Sequence, residues 1–526
     1  MKYFQDKSFL FILLILIIIF FRIPSFQANF FDNDEAIYGA VAVSLMHDGI
    51  LYKDAVDPKP PLIYFIYAIC FKLFGVGNMF SIHFITLIVV VLTSFVIFKI
   101  IYLLVKNIKY SFLGAFLWAC LNTAYVPKAL ATNTEIFLSL FICLSVYFFL
   151  LSSRRKQGKN LFLSGFSSGI GFFFNFKGGI ILVVLITYIL LHYITNFRHF
   201  RYSSLRMVKN ILTLSIGFLS IFVIFLSLFC FQKNISEFIE WGWKFNFIYS
   251  TENINFNILI NQIRKYAVQF IFIWALLFII SYNYFKLQLK EFFILRFNES
   301  TLILLWLAGS FIVVCAGFRF FPHYFIQFLP ALCVMTALGA EYKHIFNRGR
   351  KIIFFLILWN LVVSGVFFVL EYRGGIFLRK AHGEFYQIEA NRLANFVRKH
   401  TLKNDTIFIW GRLPEVYVLS NRAPGSRFVS SHLLVGANTF SWQFPENNFP
   451  EKNTLPGSWE IFFNDLQEKR PKLFIDTSSA NIRGYSRYPI NKYPRVMKHI
   501  DNNYKFFSSI QGCNIYRLKS KIHGAF

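Results

Sequence analysis

Apolar residues fill the first 370 positions in long runs, separated by short polar loops, and then thin out. The runs are about 18 to 22 residues long, which is the helix length that crosses the hydrocarbon core of a bilayer. They predict spanning helices at roughly 8–28, 80–105, 110–127, 134–152, 161–176, 178–195, 210–231, 266–286, 300–317, 324–340 and 352–370, about eleven in all. The first run follows a lysine-bearing start and resembles a signal peptide. It lacks a small-residue cleavage site, and Phe20, Phe21 and Arg22 close it, so it is expected to remain as an uncleaved span.

The polar loops set the orientation. With the N-terminus inside, Lys106–Lys109, Arg154–Lys159, Arg198–Lys209, Lys286–Arg296 and Lys343–Lys351 all fall in the cytoplasm, as retention of Lys and Arg on that side demands. Pro61 to Gly75 is also apolar, but at about fifteen residues it is too short to cross. Were it to cross, the basic loops would flip outside. It is therefore expected to lie on the outer surface as an interfacial helix, with Pro60 and Pro61 at its start. The first outer loop then runs from about 29 to 79 and carries two helices parallel to the membrane.

After Leu370 the period changes. Glu384 to His400 has an amphipathic helical pattern, Thr406 to Trp410 and Leu473 to Ile475 read as short buried strands, and Trp459 to Lys469 as a helix between them. The expected architecture is a polytopic α-helical membrane domain over 1–370 and an extracytoplasmic α/β domain over 371–526.

Composition supports this reading. The chain is 56% hydrophobic and 20% aromatic, beyond what a soluble domain carries. Its net charge of +28 raises the question of nucleic acid, but many of the basic residues sit in short loops between apolar runs, and no nucleic-acid-binding signature accompanies them. Anionic membrane lipids are the partners that such a charge suits. Six of the seven cysteines lie in apolar runs, which argues against a disulfide framework.

Acids are scarce, and this makes their placement informative. Asp32, Asp34, Glu35, Asp48, Asp54 and Asp57 crowd the first outer loop, out of 26 carboxylates in 526 residues. Carboxylates beside a bilayer are costly. Asp34 and Glu35 suit a general base with a supporting carboxylate, one taking a proton from an acceptor hydroxyl while the other holds geometry or charge. The same stretch is also a good helix N-terminus, in which Asn33 or Asp34 could cap a helix over Glu35–Met46.

Cations share that outer face. Lys59 precedes the double proline, Lys128 follows the third span, Lys177 lies in a tight turn after Asn175, and Arg319 and His323 sit in GFRFFPHYF. Together they could hold a phosphate or pyrophosphate, and singly each could be a snorkelling side chain. Asn133, Thr134 and Glu135 open the fourth span as ATNTEIF, either as a helix start or as a polar contact to a sugar. Tyr38 follows the acid pair on the same stretch and is a further candidate for contact with substrate. Trp241, Trp243 and Tyr249 suit an interfacial aromatic belt or, more sharply, a sugar platform. Metal-ligand spacings, P-loops, dinucleotide loops and GxSxG are absent, and one Asp-Glu pair makes a poor cage for a divalent ion.

The run DEAIYGAVAVSLMHDG…DPKPPLIYFIYAICFKLFG resembles the first outer loop of the C-type (GT-C) membrane glycosyltransferases. More closely it resembles the dolichyl-phosphate-mannose protein mannosyltransferases and the lipid A aminoarabinose transferase, and it resembles their bacterial relatives of the rhizobial lipopolysaccharide transferase type more closely still. ATNTEIF and RFFPHYFIQFLP resemble later segments, so the likeness covers about residues 8 to 345. It implies a sugar donor on a polyprenyl phosphate and inverting transfer to a lipid, glycan or protein acceptor at the outer face of the inner membrane. Asp34 would be the base with Glu35 its neighbour, and Lys59 would stand near the donor phosphate with Lys177, Arg319 and His323. The tail departs from the β-rich insertion of the protein mannosyltransferases. A transporter or flippase is the alternative, and it would want ionisable groups at mid-membrane, where few occur. A non-catalytic scaffold with an outer binding domain is a third reading.

Overall fold

The computed structural model describes residues 7–124, 129–195, 200–246, 256–344, 354–355, 357–370, 386–436 and 454–519. Most of the first 370 are helical, because their apolar runs satisfy backbone polar groups internally where no water can. The helices include α1 (Lys7–Arg22), α2 (Asn33–Met46), α3 (Leu62–Phe74), α4 (Met79–Val105), α5 (Ile108–Leu121), α6 (Thr134–Ser152), α7 (Gln157–Phe174), α8 (Gly179–Thr195), α9 (Phe200–Phe231), α10 (Ala275–Phe293), α11 (Glu299–Cys315) and α12 (Leu329–His344). Among the described residues six helices are long and apolar enough to cross a membrane, and four shorter apolar helices accompany them. The protein is a multi-pass membrane protein. At 13 residues α3 spans about 20 Å, short of a bilayer core. Lys128 and Tyr249 lie outside the described residues.

The chain divides into two compact units that do not follow chain order. One comprises Met1–Gln27, His83–Leu228 and Asn253–Gly375, and the other Ala28–Ile82, Phe229–Glu252 and Ile376–Phe526. In the first, helical unit, polar groups tie helices together where apolar packing alone gains little in lipid. Ser145 and Ser164 each donate to the other's carbonyl, at 2.9 and 2.8 Å, locking α6 to α7. Arg22, fully buried at the end of α1, donates to Asn122 Oδ1 at 3.2 Å and to the Leu130 carbonyl at 2.9 Å.

The second unit joins the first loop to the tail. Its tail helices are α13 (Gln387–His400), α14 (Glu415–Ser420), α15 (Ser458–Lys469) and α16 (Pro494–Asn503). Ala390, Leu393, Ala394 and Val397 are buried along α13, the spacing of one helical stripe. Four strands, β1 (Ile407–Trp410), β2 (Leu473–Asp476), β3 (Tyr504–Ile510) and β4 (Cys513–Leu518), form a sheet in the order β1-β2-β4-β3. β1, at one edge, and β2 are parallel, with Ile407 opposite Leu473, and every residue of both is buried, as parallel strands covered on both faces require. β3 and β4 form a hairpin whose two turn residues, Gln511 and Gly512, both have positive φ, which matches the twist of the flanking strands.

The loop packs on the tail at several points. Val56 donates its N–H to the Arg427 carbonyl at 2.8 Å, and Lys469 pairs with Asp54 at 3.0 Å. Val418 of α14 lies so close to Gly39 of α2 that a Cβ there would stand 2.8 Å from Val418 Cγ2. Trp241, in the π-helical turn Phe238–Lys244, is 1% exposed and meets Phe428 edge-on. It is therefore part of this unit's core and supplies neither an interfacial belt nor a sugar platform.

Candidate functional site

In the loop–tail unit, the start of α2 sets the geometry. Asp32, not Asn33 or Asp34, is the N-cap, and its Oδ1 accepts the Glu35 N–H at 3.0 Å. Glu35 is fully buried, and its Oε2 accepts the Phe31 N–H at 2.6 Å. The two carboxylates thus satisfy one orphan donor of the helix end, the Glu35 N–H, and the Phe31 N–H just ahead of the cap, in a variant of the capping box. Asp34 lies between them in sequence and is half-buried, whereas its neighbours in the first turn are buried. It is the acid of this turn that remains open to solvent.

Around it stands a shell in which Asp57, Tyr52 and Tyr64, given no role from the sequence, join Lys59 and Tyr38. Asp57 is buried, and Tyr64 donates to its Oδ2 at 2.7 Å. Tyr52 donates to the Lys59 carbonyl at 2.7 Å, while the Lys59 N–H donates to Tyr64 Oη at 3.2 Å. The backbone at Lys59 is therefore pinned by two tyrosines. Burial pushes the Asp57 carboxyl up to about 6, the Tyr64 bond and the Lys59 charge pull it down, and the Asp34 charge adds to the rise. Burial also raises the Tyr52 and Tyr64 phenols, so both remain neutral donors. Tyr38 is buried, with its ring edge-on to Tyr64 at 5.9 Å and to Tyr67 at 5.8 Å. The signal for Asp57 was present in the sequence, as an acid two residues before Lys59 in DPKPP.

The tail reaches the same neighbourhood. His432 is lowered to about 3, chiefly by burial and by the Arg412 charge, with Asp34 acting in the opposite sense. It is thus a neutral imidazole, and its Nδ1 lies 2.9 Å from Ser430 Oγ. Neither Arg412 nor His432 carries a local sequence signal, since their relation to Asp34 arises only through packing.

In the helical unit a second set gathers. Asn175 Nδ2 donates to Glu135 Oε1 and to Thr134 Oγ1, each at 3.1 Å, and Asn175 Oδ1 accepts the Lys177 N–H at 3.1 Å. Asn133 is the N-cap residue of α6 and is buried. Lys177 Nζ stands 3.0 Å from the centroid of the Tyr324 ring, and the His323 and Tyr324 rings are 4.7 Å apart. Arg319 is buried, and Phe318 and Phe320 on either side of it have φ of 50° and 48°. Left-handed backbone at two phenylalanines is costly, and such strain collects where a side chain must be held in one place. The structure thus brings together Glu135, Lys177 and His323 in one unit, and Asp34, Glu35, Tyr38 and Lys59 in the other. Among the described residues no group of three or more His, Cys, Asp or Glu could hold a metal ion.

The comparisons agree with this architecture. The family of dolichyl-phosphate-mannose-protein mannosyltransferases matches residues 58–229. An uncharacterized protein from Aquifex aeolicus (strain VF5) is 23% identical over 373 residues, covering 68% of each chain. Among solved structures, ArnT from Cupriavidus metallidurans bound to undecaprenyl phosphate superposes with a TM-score of 0.59 at 10% identity, covering 98% of this chain and 99% of that one. The oligosaccharyltransferase AglB from Archaeoglobus fulgidus, in complex with an inhibitory peptide and a dolichol-phosphate, gives 0.55 at 13% identity, covering 97% and 74%. The fold is that of the GT-C membrane glycosyltransferases, with a C-terminal sheet domain. The resemblance read from the first loop stands.

Proposed function

We propose that the protein is an inverting glycosyltransferase, moving a sugar from a polyprenyl-phosphate donor to a lipid, polysaccharide or protein acceptor at the outer face of the cytoplasmic membrane. The carrying observation is Asp34. Helix capping is done by Asp32 and Glu35, which leaves Asp34 as the solvent-reachable acid of the turn. Asp34 takes the acceptor hydroxyl proton as that oxygen bonds to the anomeric carbon, and the bond from that carbon to the phosphate oxygen breaks. The leaving polyprenyl phosphate is a stable anion, so no strong general acid is needed. Glu35 holds the turn in place.

Lys59, Lys177, Arg319 and His323 are the groups proposed to meet the donor phosphate, with charge-assisted contacts worth roughly 1.5–3 kcal/mol each. Asn133, Glu135 and Tyr38 are proposed substrate contacts, with the Tyr38 ring held by its packing on Tyr64 and Tyr67. The test is transfer from a purified polyprenyl-phosphate sugar in liposomes. Asp34→Asn keeps size but cannot accept a proton at neutral pH, and turnover should fall on the order of 10²–10⁴-fold with donor binding near normal. Near-native turnover would sink the assignment.

A further inference from the structure

We propose that Arg412, carried by the C-terminal tail in the turn ahead of α14, is a positioning residue for Asp34 at the start of α2, holding its carboxylate as a charge partner. This rests on the reading of Asp34 as the base.

The placement follows from packing. Gly39 of α2 lies against Val418 of α14, and further along the same pair of helices His47 Nε2 is 3.1 Å from Asn421 Oδ1. The two helices therefore run in the same sense. Followed back from these contacts, the start of α2, with Asp34, lies toward the start of α14, with Arg412 just ahead of it.

The Arg412 backbone is fixed on both sides. Gly411 leaves β1 with φ of 135° and donates to Ser431 Oγ at 2.6 Å, and a Cβ at this position would collide with Thr477 Oγ1. The Arg412 carbonyl accepts from Arg483 Nη1. Arg483 also pairs with Glu415 at 2.5 Å, with both side chains buried, so these two charges neutralise one another. Gly411 and Arg412 follow the carboxyl end of the parallel β1–β2 pair, where open α/β sheets place their ligand-binding residues. In this unit Asp34, Arg412 and His432 are all half-buried, whereas Leu413, Ser431 and Leu433 beside them are buried. The electrostatics agree, since the charges of both Asp34 and Arg412 bear on His432.

Among the described residues, the charged and titratable groups on the elements packed here include Asp32 and Glu35 on the turn of Asp34, Asp57, whose carboxyl feels both Asp34 and Lys59, and, on the tail, His432, which feels both Asp34 and Arg412, with the Glu415–Arg483 pair beside Arg412. Asp57 carries a raised carboxyl, His432 is neutral, and Glu415 and Arg483 cancel. Arg412 is a tail cation placed to favour the ionised form of Asp34.

The test uses the full chain in detergent or liposomes, with three single variants, Arg412→Gln, Arg412→Lys and Asp34→Asn, and the double variant Arg412→Gln with Asp34→Asn. The acid limb of the kcat/KM profile should move up by about one pH unit or more in Arg412→Gln, as removal of an adjacent opposite charge requires, and should return toward the native position in Arg412→Lys. Independently of activity, the double variant should lose no more thermal stability than the worse single one. An unmoved acid limb with additive stability losses would overturn the pairing. Non-additive losses in a chain whose Asp34→Asn variant still turns over would instead overturn the role of Asp34 as base, and with it the positioning role of Arg412.

Discussion

At the scale of single residues, Asp57 gives the most direct handle on the site. Its carboxyl stands at about 6 in the folded protein against an ordinary value of 3.8. An acid whose folded value is raised binds its proton more tightly in the fold, so protonation stabilises the native state. The ionised form therefore weighs against the fold above pH 6, the cost fades as the pH falls through 6, and it is gone below about 4. The shift corresponds to about 3 kcal/mol at most. Thermal unfolding followed between pH 8 and pH 5 should show this contribution, and Asp57→Asn should flatten that part of the curve. Asp54 works in the opposite direction: burial raises it, but its bond from the Ile50 N–H and its Lys469 partner outweigh that and lower it, so its contribution is lost only at more acidic pH. Because the Asp34 charge adds to the rise at Asp57, Asp34→Asn should also move the Asp57 midpoint down. An unshifted midpoint would separate the two acids.

At the scale of elements, the contact between α2 and α14 makes a sharp prediction. Alanine in place of a helical glycine ordinarily gains about 1 kcal/mol. At Gly39 the new Cβ would meet Val418, whose side chain is buried and β-branched and so has little room to turn away. Gly39→Ala should therefore lower thermal stability, and Val418→Ala added to it should restore much of the loss. Equal stability of Gly39→Ala and the native chain would mean that the helices can part. This contact also marks the limit of what the sequence discloses. The apolar period announces most of the apolar helices, though the run at 266–286 is broken at Trp274, and the strand and helix periods announce β1, β2, α13 and α15 to within a few residues. The hairpin of β3 and β4 has little apolar signal, because only Tyr504, Cys513 and Ile515 of its strand residues are buried and its turn signal is a single Gly512. Asp34 and Lys59 could be singled out because rare charges stand out in an apolar chain. Arg412 and His432 could not, because a basic side chain in a polar tail looks like any other until the tail packs.

At the scale of the whole molecule, two experiments follow. Reporter fusions at Lys156 and Arg348 should read cytoplasmic, and fusions at Asp57 and Lys472 should read the outer side; a shared side for Lys156 and Lys472 would break the charge-based topology. A truncation after Tyr372 should abolish transfer to the native acceptor and should also raise backbone hydrogen exchange across Ala36–Ser44, since these residues lose the neighbours α14 provides. The interleaving of chain segments in the loop–tail unit has a further consequence, for biosynthesis. The first loop leaves the ribosome early, yet β4, which completes the sheet, is made among the last residues of the chain. At translation rates of about 5–20 residues per second, the loop waits on the order of tens of seconds with its apolar faces uncovered. A chaperone or the lipid surface must shelter it over that interval, and a prematurely terminated chain carries Asp34 without the groups that surround it.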